Sequence, residues 1–247
     1  MRTAVITDIH SNLPALEAVL AEIDEMGIGR VWCLGDTVGY GAQPDECVGL
    51  VRERCEVCLV GNHDLAVTGE IDTGLFSASA AAAANWTREN ADPETIEFLN
   101  GLEARAVTDE AGLYHASPRD PVWEYVLSGE QAAACLEAAE RKVSLIGHSH
   151  VALFFSSRKG KDSSLRIDGG QGDPDRKLDL AGASWLLNPG SVGQPRDGNP
   201  DAAWLELDTG GRKATYRRVA YDIDATAKAI RDAGLPEMLA ERLYSGQ

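Results

Sequence analysis

The sequence predicts an α/β (α+β) chain that passes, part-way along, into a second, largely antiparallel sheet. Three observations predict it. Apolar runs at residues 4–6, 31–34 and 57–60 are separated by helical patterns, as in parallel strands joined by crossover helices. Each run delivers polar side chains of metal-binding type: Asp8 and His10 after the first, Asp36 after the second, and Asn62, His63 and Asp64 after the third. Beyond His150 the pattern changes to short strands at 151–155, 165–167, 185–187, 203–207 and 215–219, which reads as an antiparallel sheet. Right-handed crossovers bring successive strands out at one sheet edge, so ligands far apart in sequence converge there.

Residues 3–7 form the first strand. Asn12 caps a helix that opens at Leu13 and Pro14, buries Leu16, Val19, Leu20 and Ile23, and stops at Gly27. The second strand runs from Val31 to Gly35-Asp36, and Gly39-Tyr40-Gly41 is a loop. Pro44 opens a second helix over Cys47, Val48 and Val51, and the third strand ends at Gly61-Asn62-His63-Asp64. Residues 77–90, alanine-rich around Trp86, read as a helix, and Asp92-Pro93 starts another through Ile96 and Leu99. Two short strands around 109–112 form a hairpin whose second arm ends at Tyr114-His115. Residues 117–128, with two prolines and Trp123, are a long polar and aromatic loop and the best candidate for a substrate-pocket wall. A helix over 130–140 leads to a strand at 143–146 that ends in Gly147-His148-Ser149-His150. Residues 169–175 read as a mobile, turn-rich excursion. Asp222 or Asp224 starts a helix through Ile230, stopped by Gly234-Leu235-Pro236, and a short last helix closes the chain. No linker divides the sequence, so one domain over 1–247 is expected, with a helical extension over about 222–247.

Composition limits the function classes. The formal net charge is −16, which disfavours general nucleic-acid binding, because Lys and Arg on phosphates supply most of that affinity. A single phosphate site is still compatible with it, since bound cations would offset part of the excess. The five cysteines, at 33, 47, 55, 58 and 135, form no even framework and read as reduced, mostly buried thiols. Cys55 and Cys58 have CxxC spacing, but no second pair completes a zinc site. The chain opens on a strand and has no apolar run of membrane-spanning length, so a cytoplasmic protein with no membrane partner is expected.

All five histidines, at 10, 63, 115, 148 and 150, follow predicted strands. One such histidine is more often structural than a ligand. Five of them, joined by two aspartates and an asparagine at matching strand ends, point to a metal site, with Asp36 the candidate bridge between two ions. Carboxylate oxygen mixed with imidazole nitrogen suits manganese, iron or zinc better than calcium or magnesium alone.

Asp8-Ile-His10, Gly35-Asp36, Gly61-Asn62-His63-Asp64, the single His115 and Gly147-His148-Ser149-His150, in that order, resemble the signature of the calcineurin-like metallophosphoesterases. The segment from Asn188 to Arg196 and the tail beyond Arg217 are similar to a bacterial and archaeal branch of that family. The resemblance implies a four-layer αββα sandwich, two central mixed sheets flanked by helices. It also implies that Asp8, His10 and His150 hold one metal and Asn62, His115 and His148 the other, with Asp36 bridging. Manganese is the first expectation, with iron, zinc, nickel, cobalt or magnesium as alternatives, divalent or trivalent. A pair of such ions about 4 Å apart shares and acidifies a water for in-line attack on phosphorus. His63 then serves the leaving oxygen, with Asp64 fixing its ring.

The implied function is hydrolysis of small phosphodiesters or activated phosphomonoesters, the partner being a small phosphoester and the oligomeric state open. The Ser/Thr protein phosphatases of this superfamily continue the Gly-Asp motif with Asp-Arg-Gly; here Gly39-Tyr40-Gly41 follows, so a usual clamp for a phosphomonoester dianion is missing. Arg119 and Arg196 are possible replacements, with surface salt bridges the expected role of each. Asn12 is read equally as a helix cap or a ligand contact. The rival functions are a non-catalytic, metal-binding scaffold of the same fold and a phosphomonoesterase or protein phosphatase.

Overall fold

The computed structural model describes residues 1–159 and 165–247. Two mixed six-stranded sheets lie at its centre. The first runs, in spatial order, β3 (Val57–Cys58), β2 (Val31–Cys33), β1 (Arg2–Ile6), β11 (Ala202–Asp208), β12 (Lys213–Val219) and β9 (Lys177–Asp179). The second runs β4 (Arg105–Val107), β5 (Gly112–Tyr114), β6 (Val143–Leu145), β10 (Ser184–Asn188), β7 (Leu153–Lys159) and β8 (Leu165–Gln171). β1, β2 and β3 are mutually parallel, as are β5, β6 and β10; the remaining pairs are antiparallel. Parallel neighbours need crossovers; α1 (Leu13–Glu25), α2 (Pro44–Arg54) and α6 (Gly129–Ala138) supply three of them, and β7, β8 and β9 lie in the connection from β6 to β10.

The period-2 alternation of the strands sorts their side chains into layers. Val5, Trp32 and Leu34 face inward and meet Leu113, Leu145, Trp185 and Leu187 of the second sheet. The alternate residues Ala4, Ile6, Val31 and Cys33 face outward against Leu16, Val19, Leu20 and Ile23 of α1 and Cys47 and Val51 of α2. On the far side Ile146, Leu153 and Leu186 meet Ala132, Cys135 and Leu136 of α6. The result is the αββα sandwich, helices outside and both sheets within. Each large aliphatic side chain on these faces contributes about 1.5–3 kcal/mol by leaving water.

The other helices gather at the metal-binding edge of the first sheet. α3 (Asn62–Thr68), α4 (Ala78–Asn90) and α5 (Pro93–Asn100) pack together through Ala66, Val67, Ala84 and Leu99. α7 (Ile223–Asp232) and α8 (Glu237–Glu241) bury Ala227, Ile230 and Leu239 against Tyr40. None of the helices among the described residues is long and apolar enough to cross a membrane.

Asn62, His63 and Asp64 form the first turn of α3. Two expectations are corrected. The strands beyond His150 do not form a second sheet of their own: β9, β11 and β12 join the first sheet, β11 beside β1, and β7, β8 and β10 join the second. Gly169 and Gly170 continue β8 instead of breaking it, because the chain there passes under Phe155 and Phe154. A Cβ at Gly169 would collide with the Phe155 ring, and one at Gly170 would lie 3.1 Å from Phe154 Cζ. β9, three residues at a sheet edge with a single buried apolar residue, Leu178, is too short a pattern for the sequence to reveal.

Candidate metal centre

The candidate ligands lie where parallel strands end. Asp8 and His10 follow β1, Asp36 follows β2, Asn62 and His63 follow β3, His115 follows β5, and His148 and His150 follow β6. Main-chain hydrogen bonds tie these ends together: Asp8 N to Gly35 O at 3.0 Å, His10 N to Asp36 O at 3.0 Å, and Gly147 N to His115 O at 2.6 Å. The turn after β10 joins the two sheets. Val192 N donates to Thr7 O and Gly193 N to Asp8 O, both at 3.0 Å, and Ser191 Oγ donates to Asp8 O at 2.7 Å.

Five of the seven candidate ligands, Asp8, His10, Asp36, His148 and His150, have left-handed backbone, with φ between 52° and 65°. Only nine non-glycine residues do so among those described, so the conformation is concentrated at this site. Each instance costs on the order of 1 kcal/mol. The hydrogen-bonded turns above hold it in place.

Close approach adds a second constraint. A Cβ on Gly147 would stand 2.9 Å from Asp8 Oδ2 and collide with Thr7 Oγ1; one on Gly61 would collide with Asp36 Oδ1. Gly147→Ala is therefore expected to destabilise the fold by about 1–3 kcal/mol and to lower bound metal by displacing Asp8. Thermal unfolding and metal content check this, and a variant unchanged in both would contradict the close packing.

All seven residues are buried, none more than 4% exposed. Asp8, His10, Asp36 and His150 present ligand atoms within 4.8 Å of one another, and so do Asp36, His115 and His148. Asp36 belongs to both groups: its Oδ2 lies 3.6 Å from His10 Nε2 and 3.6 Å from His115 Nε2. Asn62 joins through Oδ1, 3.1 Å from His115 Nε2.

The hydrogen bonding leaves one ligand atom free on each carboxylate. Asp8 Oδ2 accepts from Thr7 Oγ1 at 2.9 Å and from His148 N at 3.0 Å, while Oδ1 has no partner. Asp36 Oδ1 accepts from His63 N at 2.8 Å, while Oδ2 has none. His10, His115 and His150 each donate Nδ1–H to a carbonyl, of Val38 at 3.1 Å, Leu34 at 3.0 Å and Gln194 at 2.7 Å. A neutral ring so held carries its lone pair on Nε2. His10 Nε2 and His150 Nε2 are 3.0 Å apart, two lone pairs face to face, and His148 Nε2 is buried without a partner. Acceptors turned on one another at this spacing repel unless a cation lies among them. The donor set, imidazole nitrogen with carboxylate and amide oxygen, suits a divalent metal centre.

Burial sets the protonation of these groups in the same direction throughout, toward neutrality. Desolvation, with the charges of Asp64 and Asp8, raises the Asp36 carboxyl well above its usual range, and desolvation raises Asp8 to about 7. It also lowers His10, His63, His115 and His150 well below 6.5, and His148 to about 4. Without metal the imidazoles therefore hold no extra proton near pH 7, and the carboxyls keep theirs to higher pH than usual. Metal binding must displace those carboxyl protons, so affinity falls as pH drops below about 7. Adding manganese to metal-free protein at pH 6.5 in weak buffer is expected to acidify the solution; binding with no proton release would contradict this assignment.

His63 lies beside the cluster, its ring centroid 4.3 Å from Tyr40, 4.8 Å from His10 and 5.0 Å from Phe76. Its Nδ1 has no hydrogen-bond partner. Asp64, expected to orient that ring, is occupied elsewhere: Oδ1 accepts from Val38 N and Oδ2 from Gly61 N, each at 2.9 Å. Asp64 instead staples the start of α3 to the loop carrying Asp36, and aromatic packing orients His63. Asn12 is fully engaged, accepting from Ala15 N and Thr226 Oγ1 and donating to Gly193 O. Tyr125 tilts over His148 at 4.1 Å between centroids, and Trp123 lies 5.4 Å from Phe76, so the 117–128 loop walls the cleft, as expected.

The calcineurin-like phosphoesterase superfamily domain matches residues 1–210. The chain belongs to that family. An uncharacterized protein of Methanocaldococcus jannaschii is 39% identical to this metallophosphoesterase over 99% of this chain and 98% of its own. The crystal structure of a metallophosphoesterase from Sphaerobacter thermophilus shares 36% identity, with a TM-score of 0.88, over 100% of this chain and 99% of that one. A hypothetical protein from Pyrococcus horikoshii, 20% identical, has a TM-score of 0.79 over 100% and 98% of the two chains, a likeness of fold. Membership makes this metallophosphoesterase a phosphoester hydrolase by family, and the buried Asp and His groups are its candidate metal site.

Proposed function

We propose that this chain is a dinuclear metal-dependent phosphoesterase that hydrolyses small phosphodiesters, or activated phosphomonoesters, in the cytoplasm. The observation that carries the reading is the unpartnered Asp36 Oδ2, common to two clusters of ligand atoms. In this reading Asp8, His10 and His150 would hold one cation, Asn62, His115 and His148 the other, and Asp36 would be shared between them. Manganese is the first candidate for each. Two divalent cations so held supply Lewis acidity to the phosphoryl oxygens and lower the pKa of an attacking water.

The chain's own residues do the rest. Carbonyls of Val38, Leu34 and Gln194 fix three imidazole rings, so no rotamer has to be found when metal and substrate arrive. As the new bond from water oxygen to phosphorus forms and the opposite P–O bond breaks, a hydrogen bond from His63 N–H would stabilise the charge on the departing oxygen, which ends with the proton that the attacking water gives up. Burial keeps that imidazole neutral, a donor strong enough to stabilise developing charge without first capturing a proton from solvent. Tyr40, His63, Tyr125 and Arg196 line the space beside the candidate ligands, a setting that favours a small ester in this reading. A chain of net charge −16 disfavours nucleic-acid polymers as substrates.

The test is to add manganese to metal-free protein and assay bis(4-nitrophenyl) phosphate beside 4-nitrophenyl phosphate. Metal-dependent turnover well above both the metal-free protein and an Asp36→Asn control is expected. Tight metal binding with no hydrolysis across a broad phosphoester panel would favour the non-catalytic scaffold instead.

A further inference from the structure

The sequence leaves this chain without the arginine that protein phosphatases of the superfamily carry after the Gly-Asp motif, and two loop arginines were the candidates to stand in. The structure separates them. Arg119 pairs with Glu124 at 3.4 Å, half-exposed, the surface salt bridge expected of it. Arg196 makes no ion pair among the described residues. Its neighbour Asp197, the obvious partner in sequence, is buried and paired with Arg218.

Arg196 is nevertheless held. Its main-chain N donates to His150 O at 3.0 Å, which fixes the loop to a candidate ligand. Nε and Nη2 both donate to Gln194 Oε1, at 3.3 and 2.7 Å. The guanidinium carbon lies 5.5 Å from the centroid of Tyr40, and Nη1 has no protein partner among the described residues. The side chain lines the same cleft as Asp36, Asn62, His63 and His148. A preorganised guanidinium with a free donor edge, in a cleft whose other polar groups serve a cation pair, is placed to take an anion.

We propose that Arg196 binds a terminal phosphoryl oxygen of the substrate and makes this site competent for phosphomonoester dianions, an inference resting on the phosphoesterase function proposed above. A monoester carries one more negative charge and one more terminal oxygen than a diester in the same seat. The added cation therefore favours the monoester over the diester. Arg196 sets the substrate class, while the metal ligands set the chemistry.

The experiment compares the wild type with Arg196→Gln and Arg196→Lys. Inorganic phosphate is titrated calorimetrically into each protein, with and without manganese. The ratio of kcat/KM for 4-nitrophenyl phosphate to that for bis(4-nitrophenyl) phosphate is measured at pH 8. R196Q is expected to keep its metal content, weaken phosphate binding by at least about tenfold, and shift the monoester-to-diester ratio by at least about tenfold toward the diester. R196K is expected to fall between. Phosphate bound as in the wild type, or both esters reduced by one factor, would overturn the proposal. If the wild type hydrolyses neither ester, the phosphoesterase reading fails, and the phosphate titration still decides whether Arg196 is an anion clamp.

Discussion

Asp36→Asn is expected to release both cations and to lower kcat by about 10³-fold or more, corresponding to the several kcal/mol of charge stabilisation a metal pair provides. The substitution preserves shape. Oδ1 still accepts from His63 N, 2.8 Å away, and the amide nitrogen takes the place of Oδ2, 3.6 Å from the lone pairs of His10 and His115. In the metal-free wild type only a protonated carboxyl could donate to them, whereas the amide donates at any pH. Metal-free Asp36→Asn is therefore expected to melt higher than metal-free wild type, since a buried carboxyl whose ionisation is opposed by desolvation is replaced by a neutral donor. Manganese is expected to raise the melting temperature of the wild type and leave the variant unchanged. A variant that is inactive because it is misfolded would show neither the higher metal-free melting nor a cooperative transition. Retention of two metals per chain would contradict the bridging role.

His63→Asn is expected to keep both metals and to lower kcat by about 10²–10⁴-fold on an alkyl phosphoester. No candidate ligand atom is lost, because His63 belongs to neither ligand cluster. The loss depends on the leaving group. Nitrophenolate needs little help to depart, so the same variant is expected to lose far less on nitrophenyl esters. Plotting log kcat against leaving-group pKa is expected to give a steeper line for the variant than for the wild type. Parallel lines, or loss of metal, would place His63 in the structural support of the cluster instead.

The site was legible in the sequence because its chemistry demands particular residue types at strand ends, and strand ends are marked by apolar runs. Asp8, Asp36 and the paired histidines after residue 146 announce themselves in that way. Their left-handed backbone does not, since it follows from long-range bonds such as His10 N to Asp36 O, invisible to local propensity. Asp64 shows the same limit. Its adjacency to His63 invites a pairing, whereas both oxygens are spent on main-chain donors 26 and 3 residues away. Those same bonds cap α3, a seven-residue helix that the sequence reading did not anticipate.

The sandwich followed from the family resemblance, whereas the switch in strand pattern after His150 did not divide the sheets, because β9, β11 and β12 join the first sheet and β4, β5 and β6 open the second; other details were lost where glycine has two meanings. Gly169 and Gly170 look like a turn in sequence, yet serve as the flat floor beneath two phenylalanine rings. Arg196 failed for a related reason. A surface salt bridge was expected of it, yet the adjacent Asp197 is taken by Arg218, which only the pairing of β11 with β12 brings near.

The most direct measurement is anomalous diffraction at the manganese edge, on crystals of protein purified without chelator and grown with manganese. Two peaks are predicted at the ends of β1, β2, β3, β5 and β6, with Asp36 Oδ2 between them and the Nε2 atoms of His10 and His115 on opposite sides. A single peak, or none, with Asp36 turned away from both histidines, would contradict the account.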